Sequence, residues 1–305
     1  MKKKILILAG GYSKERNVSL NTGLEVYKSL KKKYILKLLD PKGDLVKQIN
    51  KFKPHIVFNA LHGRFGEDGY IQSILEKEKI KYTHSGVLSS FLSIDKQLSK
   101  AIFVKNNILT PKSFIYSFIN PPSKTKFLKK VKTVLKFPVV LKPINEGSSV
   151  DVKICNKNNV IRNLNKLKHY REILIEQYIP GREIQSAVLN NKMLGAIELI
   201  PKRKFYDYTA KYSKSAKTKH IMPAKLNKKF YKQVNTIALK AHRLLKCRGV
   251  SRSDFRFYNN KFYLLELNTQ PGMTSLSLVP EIAKYNNIDF LSLLESLIKD
   301  ASINK

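Results

Sequence analysis

Acidic residues are scarce in this chain. Its 305 residues contain 22 Asp and Glu against 58 Lys and Arg, a formal net charge of +36. Such an excess is typical of proteins that bind nucleic acid or an anionic surface. Only ten of the basic residues are Arg, whose planar fork suits phosphate and guanine, and Lys is spread along the whole chain. We therefore expect weak, salt-sensitive polyanion binding and no specific nucleic-acid partner, with a basic binding protein kept as an alternative of a different class.

Cysteine and long apolar runs are also lacking. Cys155 and Cys247 are the only cysteines and lie far apart, which indicates neither a disulfide framework nor a metal knuckle. The basic start and apolar residues 5–9 look like a secretory signal, but the apolar run is too short and charged residues 14–16 follow at once. No apolar run approaches the roughly 18 residues of a membrane span. We expect a cytoplasmic protein without a membrane partner, in which residues 5–9 form a buried parallel strand.

The length of the chain predicts two or three domains. Residues 1–95 alternate strand and helix signals, the rhythm of a parallel α/β sheet. A second region spans residues 96–180 and a third spans residues 181–305. The predicted fold class is α/β, with polar turn residues at 62–69 placed at the carboxyl end of a strand, where such sheets bind ligands.

A predicted hairpin near the C-terminus carries three oxygen-bearing side chains, Asp254, Glu266 and Asn268. For Asp254 to lie opposite Glu266, the hairpin needs a three-residue loop at 259–261 or a bulge. Carboxylate and amide oxygens on one face suit a hard cation such as Mg²⁺, while a solvated hairpin face is the alternative. The opposite, apolar face is expected to contain Phe255, Phe257, Tyr263, Leu265 and Leu267.

A second pattern is a strand at 139–142 that ends in Lys142 and leads into the loop EGSS at 146–149. Small residues let backbone amides approach phosphate oxygens, and the Lys adds a positive charge. The order of a Walker loop is absent, so a flexible turn stays an alternative.

Two further segments are weaker signals. The apolar strand that begins at residue 173 carries Glu176 and continues to Glu183, and such a linker between lobes can present backbone groups to an adenine edge and an acid to ribose. The basic loop at 202–219 contains three tyrosines beside Lys211, which fits a lid over a phosphate better than a solvated charge cluster.

Taken together and in this order, these motifs resemble those of the ATP-grasp ligases. AGGYSKERNVS at 9–19, HGRFGEDG at 62–69, EGSSV at 146–150 and NTQPGMT at 268–274 are similar to D-alanine–D-alanine ligases over essentially the full chain. The resemblance implies a three-domain ATP-grasp architecture with α+β central and C-terminal regions. Residues 1–95 would form a domain that contributes to the D-alanine site, 96–180 a lobe with the phosphate loop, and 181–305 a lobe with the lid and the Mg²⁺ site.

In that family ATP phosphorylates the carboxylate of one D-alanine, and the amine of a second D-alanine attacks the acyl phosphate. The products are D-alanyl-D-alanine, used in peptidoglycan precursor synthesis, ADP and phosphate. The resemblance implies ATP as substrate, two Mg²⁺ ions with Mn²⁺ as an alternative, D-alanine as the bound partner and a homodimer.

The resemblance also assigns roles to residues. In the nucleotide site, Mg²⁺ would be bound by Asp254, Glu266 and Asn268, and the phosphates would be bound by Lys96, Lys142 and Lys211. The adenine would be bound by Glu176 and the backbone of Gln177, Tyr178 and Ile179, and the ribose would be bound by Glu183. For the first D-alanine, Glu15 would bind the ammonium group within a network with Ser148 and Tyr212, and His62 would lie near the carboxylate. Arg252 would face the oxyanion. The carboxylate of the second D-alanine would be bound by Ser277, Leu278 and Gly272.

Two residues depart from the family pattern. Asp151 stands where the phosphate loop usually has Gly, and Thr209 replaces the usual Glu before Lys211. A ligase of the same fold that uses D-lactate, D-serine or another amino acid as second substrate is kept as an alternative. Tyr212 favours an amine nucleophile, because the depsipeptide-forming relatives depart from Tyr at that position.

Overall fold

The computed structural model describes residues 2–201, 218–274 and 277–303. Within these residues the strands form three sheets, one entirely parallel and two entirely antiparallel, with helices packed around them. The predicted α/β class, with α+β central and C-terminal regions, is confirmed. No helix in the described part of the chain is long and apolar enough to cross a membrane.

The N-terminal sheet is parallel, with strand order β2-β1-β3-β4. Its central strand β1 is buried from Ile5 to Leu8, because helices cover both faces of a parallel sheet. Gly23 lets helix α1 approach this strand, since a Cβ there would lie 2.4 Å from the Cβ of Ala9. The elements are β1 Lys4–Leu8, α1 Arg16–Leu30, β2 Ile35–Leu39, α2 Leu45–Phe52, β3 Ile56–Asn59, α3 Tyr70–Lys77, β4 Lys81–Tyr82 and α4 Val87–Ile94.

Helix α5 precedes the central sheet and is capped by Asp95, whose Oδ1 accepts hydrogen bonds from the amides of Gln97 and Leu98. The central sheet is antiparallel with strand order β5-β8-β6-β7. Its apolar core lies between β6, β8 and two helices. The elements are α5 Lys96–Lys105, β5 Ser113–Ser117, α6 Lys124–Lys130 followed by a π-helical turn at Val131–Leu135, β6 Val139–Pro143, β7 Lys153–Cys155, α7 Val160–Asn165 and β8 Glu172–Gln177.

The C-terminal sheet has five antiparallel strands in the order β11-β10-β9-β12-β13. One face packs on helix α8, and residues of β9 and β10 share a core with the N-terminal sheet and the last two helices. The elements are β9 Arg182–Leu189, β10 Lys192–Ile200, β11 Lys219–Ile221, α8 Lys228–Leu244, β12 Val250–Tyr258, β13 Lys261–Asn268, α9 Leu278–Tyr285 and α10 Phe290–Asp300.

The hairpin of β12 and β13 confirms the bulge and excludes the three-residue loop. Tyr258 pairs with Lys261 across a two-residue turn, and the register shifts after Asp254, which lies opposite Glu266. The predicted apolar face was wrong for two residues of its second strand, Tyr263 and Leu265, and right for Leu267, which is buried. Phe262 and Leu264 are buried there, whereas Tyr263 and Leu265 are only partly buried. The bulge exchanges the two faces of β13 between the turn and Glu266, because side chains alternate along a strand.

Candidate active site

A cleft lies where the central and C-terminal sheets face each other, with about 780 Å³ of empty space, open solvent included. Its lining contains residues of α5, β6, β8, β9, β12 and β13 together with the loop after β6. The lining residues predicted from the sequence for nucleotide or metal are Lys96, Lys142, Glu176, Gln177, Tyr178, Ile179, Glu183, Asp254 and Glu266.

One wall of the cleft contains a buried cluster of charges. Glu176 accepts a hydrogen bond from Lys100 through one carboxylate oxygen, and its other oxygen lies 2.7 Å from Lys142 Nζ. Burial would raise the pKa of Glu176, but Lys142 and Lys100 outweigh it and hold that pKa below the usual value. Glu176 is therefore a carboxylate that faces two ammonium groups.

The predicted metal ligands lie together at the paired end of β12 and β13. Asp254 is opposite Glu266, and Asn268 follows two residues later on the same strand, opposite Arg252. Arg252 holds Asp254 through Nε at 2.7 Å and Nη2 at 3.0 Å. Lys96 Nζ lies 3.5 Å from Glu266 Oε2 and donates to the carbonyl of Glu146 at 2.6 Å.

This donor set fits a hard divalent cation. Two carboxylates and one amide oxygen are the ligand types that Mg²⁺ takes when substrate phosphates complete its shell. Among the described residues no three acids, histidines or cysteines cluster as a metal site. An incomplete protein shell of this kind leaves positions for phosphate oxygens, with Lys96 and Arg252 placed beside them.

The loop after β6 contacts the N-terminal region at Glu15, which is buried. Ser148 Oγ donates a hydrogen bond to Glu15 Oε2. A Cβ at Gly147 would lie 2.7 Å from the other oxygen of Glu15, so a larger residue there would collide with the carboxylate. The structure thus brings the predicted ammonium-binding acid and the predicted phosphate loop together, although they are 133 residues apart.

His62 lies in the loop after β3, as expected, and is buried. Both ring nitrogens have partners: Nδ1 is 3.0 Å from Glu67 Oε1, and Nε2 is 3.1 Å from Thr22 Oγ1. A substrate carboxylate near His62 would have to share or replace one of these contacts. Ser13 supports the same loop by donating to the carbonyl of His62 at 2.6 Å.

The predicted second-carboxylate residues adjoin one another before helix α9. Ser277 Oγ accepts from the amide of Thr274 at 3.0 Å, and Leu278 is the first residue of α9. A Cβ at Gly272 would lie 2.9 Å from Ser277 Oγ. The three residues therefore lie together at a helix N-terminus, the end that attracts anions.

Gln270 was missed by the sequence analysis. Its side chain accepts from Asn59 Nδ2 at 2.8 Å and donates to the carbonyl of Leu61, while its amide donates to Asn268 Oδ1 at 2.7 Å. It thus connects a predicted metal ligand to the loop that carries His62. Its place inside the motif at 268–274 was the available signal.

Asp151, the departure from the family pattern, lies in a small interlobe cluster. It accepts from Tyr170 Oη at 2.7 Å, and Lys14 Nζ and His169 Nε2 each lie 3.6 Å from its Oδ2. Burial opposes ionisation, but Tyr170, Lys14 and His169 together lower the pKa of Asp151. Lys14 also lies 5.9 Å from the centre of the Tyr170 ring. Lys211, Tyr212 and Thr209 lie outside the described residues.

Comparison with known proteins gives concordant results. The profile described as "D-ala D-ala ligase C-terminus" matches residues 115–299. D-alanine–D-alanine ligase of Pelagibacter ubique is 60% identical and covers 100% of both chains. The enzyme of Zymomonas mobilis is 42% identical over 98% of this chain and 94% of its own.

Solved structures agree with these matches. D-alanine–D-alanine ligase of Bacillus anthracis complexed with ATP superimposes with a TM-score of 0.85 at 30% identity, covering 98% of this chain and 97% of that one. VanG D-Ala:D-Ser ligase of Enterococcus faecalis superimposes with a TM-score of 0.83 at 26% identity, covering 98% and 99%. With a family profile over more than half its length and full-length relatives well above 30% identity, this chain belongs to the D-alanine–D-alanine ligase family of ATP-grasp enzymes.

Proposed function

We propose that this protein joins two D-alanine molecules in an ATP-dependent reaction through a D-alanyl phosphate intermediate, supplying D-alanyl-D-alanine for peptidoglycan precursors. One contact carries the proposal: Ser148, in the phosphate loop, donates to Glu15, the predicted ammonium-binding residue. It supports placing the first amino acid beside the γ-phosphate of ATP. The full-length relatives named D-alanine–D-alanine ligase support the same substrate.

The nucleotide fits the cleft between the two antiparallel sheets. Lys96 and Lys142 are the proposed phosphate contacts, the segment Gln177–Ile179 and Glu176 the adenine contacts, and Glu183 the ribose contact. All of these line the cleft. A carboxylate is a poor electrophile, and transfer of the γ-phosphoryl group to it creates a leaving group.

Asp254, Glu266 and Asn268 would hold Mg²⁺, with Mn²⁺ as an alternative. The ions would neutralise charge on the phosphate oxygens during transfer. Arg252 is the proposed donor to the oxyanion that forms when the second amine attacks, because its fork is fixed by Asp254 and need not reorganise.

The second D-alanine is proposed to bind with its carboxylate near Gly272, Ser277 and the amide of Leu278. The N-terminus of α9 lies there and favours a negative charge. Glu15 would hold the ammonium group of the first D-alanine. His62 would lie near its carboxylate, and Glu67 fixes the orientation of the imidazole.

A D-Ala:D-Ser ligase activity is the second candidate, favoured by the likeness to VanG. Phosphate release should be measured with ATP and Mg²⁺ alone, with D-alanine, with D-alanine plus D-serine or D-lactate, and with L-alanine, and the products should be identified by mass spectrometry. We expect release with D-alanine alone and a dipeptide product. Release only when D-serine or D-lactate is added would reject the main proposal.

The assembly and location of the protein are proposed from the same family likeness. We propose a homodimer that acts in the cytoplasm, where ATP is available. Sedimentation equilibrium at micromolar protein concentration should give twice the chain mass of 35.1 kDa. A monomer mass across the concentration range would exclude the dimer.

A further inference from the structure

Lys100 is a buried lysine that none of the predicted site roles includes. It lies on helix α5 one turn after Lys96, so the two side chains leave the same helix face. Lys96 reaches the cleft, whereas Lys100 points behind it and is only 5% exposed. There it donates to Glu176 Oε1 and, at 2.9 Å, to the carbonyl of Pro111.

Three ionisable side chains meet at this point, and their charges do not balance. Glu176 is the single carboxylate between the ammonium groups of Lys100 and Lys142. All three side chains are at least nine-tenths buried. A one-to-one pair would neutralise the carboxylate, so the second cation leaves a net positive charge within the wall of the cleft.

This surplus charge is unfavourable for folding alone. Burial lowers the pKa of Lys100 to about 8, although Glu176 opposes the shift, and the neighbouring Lys142 lowers it further. Replacing buried ions by apolar side chains is often neutral or stabilising, so stability does not explain a second lysine on one carboxylate. A bound polyanion does explain it, because Lys142 and Glu176 both line the cleft.

Without Lys100, the charge of Lys142 would be taken up by Glu176, which lies 2.7 Å from it. With Lys100 on the other oxygen, Glu176 is already neutralised, and the charge of Lys142 stays available to a phosphate group. We infer that Lys100 is a positioning residue for the nucleotide, which neutralises Glu176 from behind so that Lys142 can bind the polyphosphate. This inference rests on the proposed function for its ligand, ATP.

A purely structural role makes different predictions. If Lys100 only ties α5 to β8, its loss lowers the melting temperature and changes the KM values for ATP and D-alanine together or not at all. If Lys100 acts through Glu176 and Lys142, nucleotide affinity alone falls. The fall must also depend on the charge of Glu176.

The test compares Lys100→Met with Lys105→Met, a control in which an exposed lysine at the end of the same helix is replaced. Mg·ADP affinity is measured by calorimetry, and KM values for ATP and D-alanine by phosphate release. We expect Lys100→Met to weaken Mg·ADP about tenfold, equivalent to about 1.4 kcal/mol, with the KM for D-alanine changed less than about twofold. Lys105→Met should match the wild type.

A double-mutant cycle with Glu176→Gln tests the route of the effect. In the Glu176→Gln background, Lys100→Met should weaken Mg·ADP less than about twofold, because no carboxylate remains to capture Lys142. A tenfold loss in both backgrounds would show that Lys100 does not act through Glu176. If Lys100→Met keeps the wild-type affinity for Mg·ADP and only lowers the melting temperature, Lys100 has a purely structural role and the inference is wrong.

Folding and the proposed function are controlled separately. Melting temperatures without nucleotide accompany every variant, and Lys100→Gln, which keeps a donor for the Pro111 carbonyl, replaces Lys100→Met if that variant does not fold. It should show the same tenfold loss. Mg·ADP binding needs no D-alanine, so a wild-type protein that binds Mg·ADP but releases no phosphate with D-alanine would contradict the proposed function and leave this inference standing.

Discussion

Arg252 donates hydrogen bonds to both carboxylate oxygens of Asp254, which lies two residues further along the same strand. The distances are 2.7 Å from Nε to Oδ1 and 3.0 Å from Nη2 to Oδ2. Residues two apart on a strand share a face, so the guanidinium and the predicted metal ligand lie side by side on the same face of β12. A two-point contact fixes the plane of the guanidinium, which a single ammonium group cannot reproduce. The pair therefore places a rigid cation next to the proposed site of phosphoryl and acyl transfer.

The first prediction is that Arg252→Lys lowers turnover about 100-fold. Losing one preorganised oxyanion donor costs roughly 2.7 kcal/mol or more of activation free energy. Steady-state phosphate release with saturating ATP and D-alanine measures the effect. Arg243→Lys, on the exposed side of α8, is the matched control and should keep wild-type turnover. Turnover within threefold of wild type in Arg252→Lys would remove Arg252 from the oxyanion role.

The second prediction is that Glu266→Gln lowers Mg²⁺-dependent turnover at least about 100-fold while the fold stays intact. Gln keeps the shape of Glu but removes the negative charge that a divalent cation needs. The side chain is 26% exposed, and Lys96 keeps the carbonyl of Glu146 as an acceptor when the charge of Glu266 is removed, so we expect the variant to fold. Activity should be measured over a Mg²⁺ titration together with the melting temperature. Glu172→Gln, at an exposed position at the start of β8, is the control. If both variants need the same Mg²⁺ concentration for activity, Glu266 is not a metal ligand.

The hairpin of β12 and β13 shows which structural features could be predicted from the sequence. Alternation along 254–258 and 261–268 predicted two strands with Asp254 opposite Glu266, and this pairing is found. The faces of Tyr263 and Leu265 were wrong because a bulge shifts the alternation by one residue, and no local residue type announces where a bulge falls. The parallel N-terminal sheet was predictable, since continuous apolar strands are a strong local signal.

Contacts between residues far apart in the chain could not be predicted from the sequence. Lys100 meets Glu176 across 76 residues, and Gln270 meets Leu61 across 209. Both are polar residues in segments whose local pattern also fits a solvated helix face or a loop. Only the folded arrangement places Lys100 of α5 beside Glu176 of β8, and the segment after β13 beside the loop after β3. The family resemblance identified residues that are expected to contact ligands. It did not identify Lys100 and Gln270, which contact those residues or the loops that carry them.

The third prediction concerns Asp151 and salt. Asp151→Asn keeps an acceptor for Tyr170 and loses the attraction for Lys14, whose side chain is 59% exposed. An exposed pair of this kind contributes at most about 1 kcal/mol and is screened by salt. We expect the KM for D-alanine to rise about two- to threefold at low ionic strength and to match wild type near 1 M salt. A difference that persists at high salt would show that Asp151 positions the phosphate loop by another contact.

The fourth prediction is a loss of stability in mild acid caused by His242. Its Nδ1 lies 2.7 Å from Ser251 Oγ, and burial, with Arg243 nearby, lowers its pKa to about 4. The unfolded chain binds a proton near pH 6.5, so between pH 6.5 and 4 the unfolded state carries more protons and stability falls as the pH falls. The shift corresponds to roughly 3 kcal/mol lost across this window, because each pKa unit is about 1.4 kcal/mol.

Urea unfolding at a series of pH values between 7 and 4 measures this loss. His242→Asn keeps a polar partner for Ser251 but cannot ionise, so its unfolding free energy should depend less steeply on pH even if the variant is less stable at pH 7. His169→Gln removes a histidine that is 56% exposed and should retain the wild-type slope. If His242→Asn and wild type lose stability in parallel from pH 6.5 to 4, the acid sensitivity belongs to other groups. A shallower slope in His242→Asn alone would locate it at the packing of α8 on β12, the layer that supports the strand carrying Arg252 and Asp254.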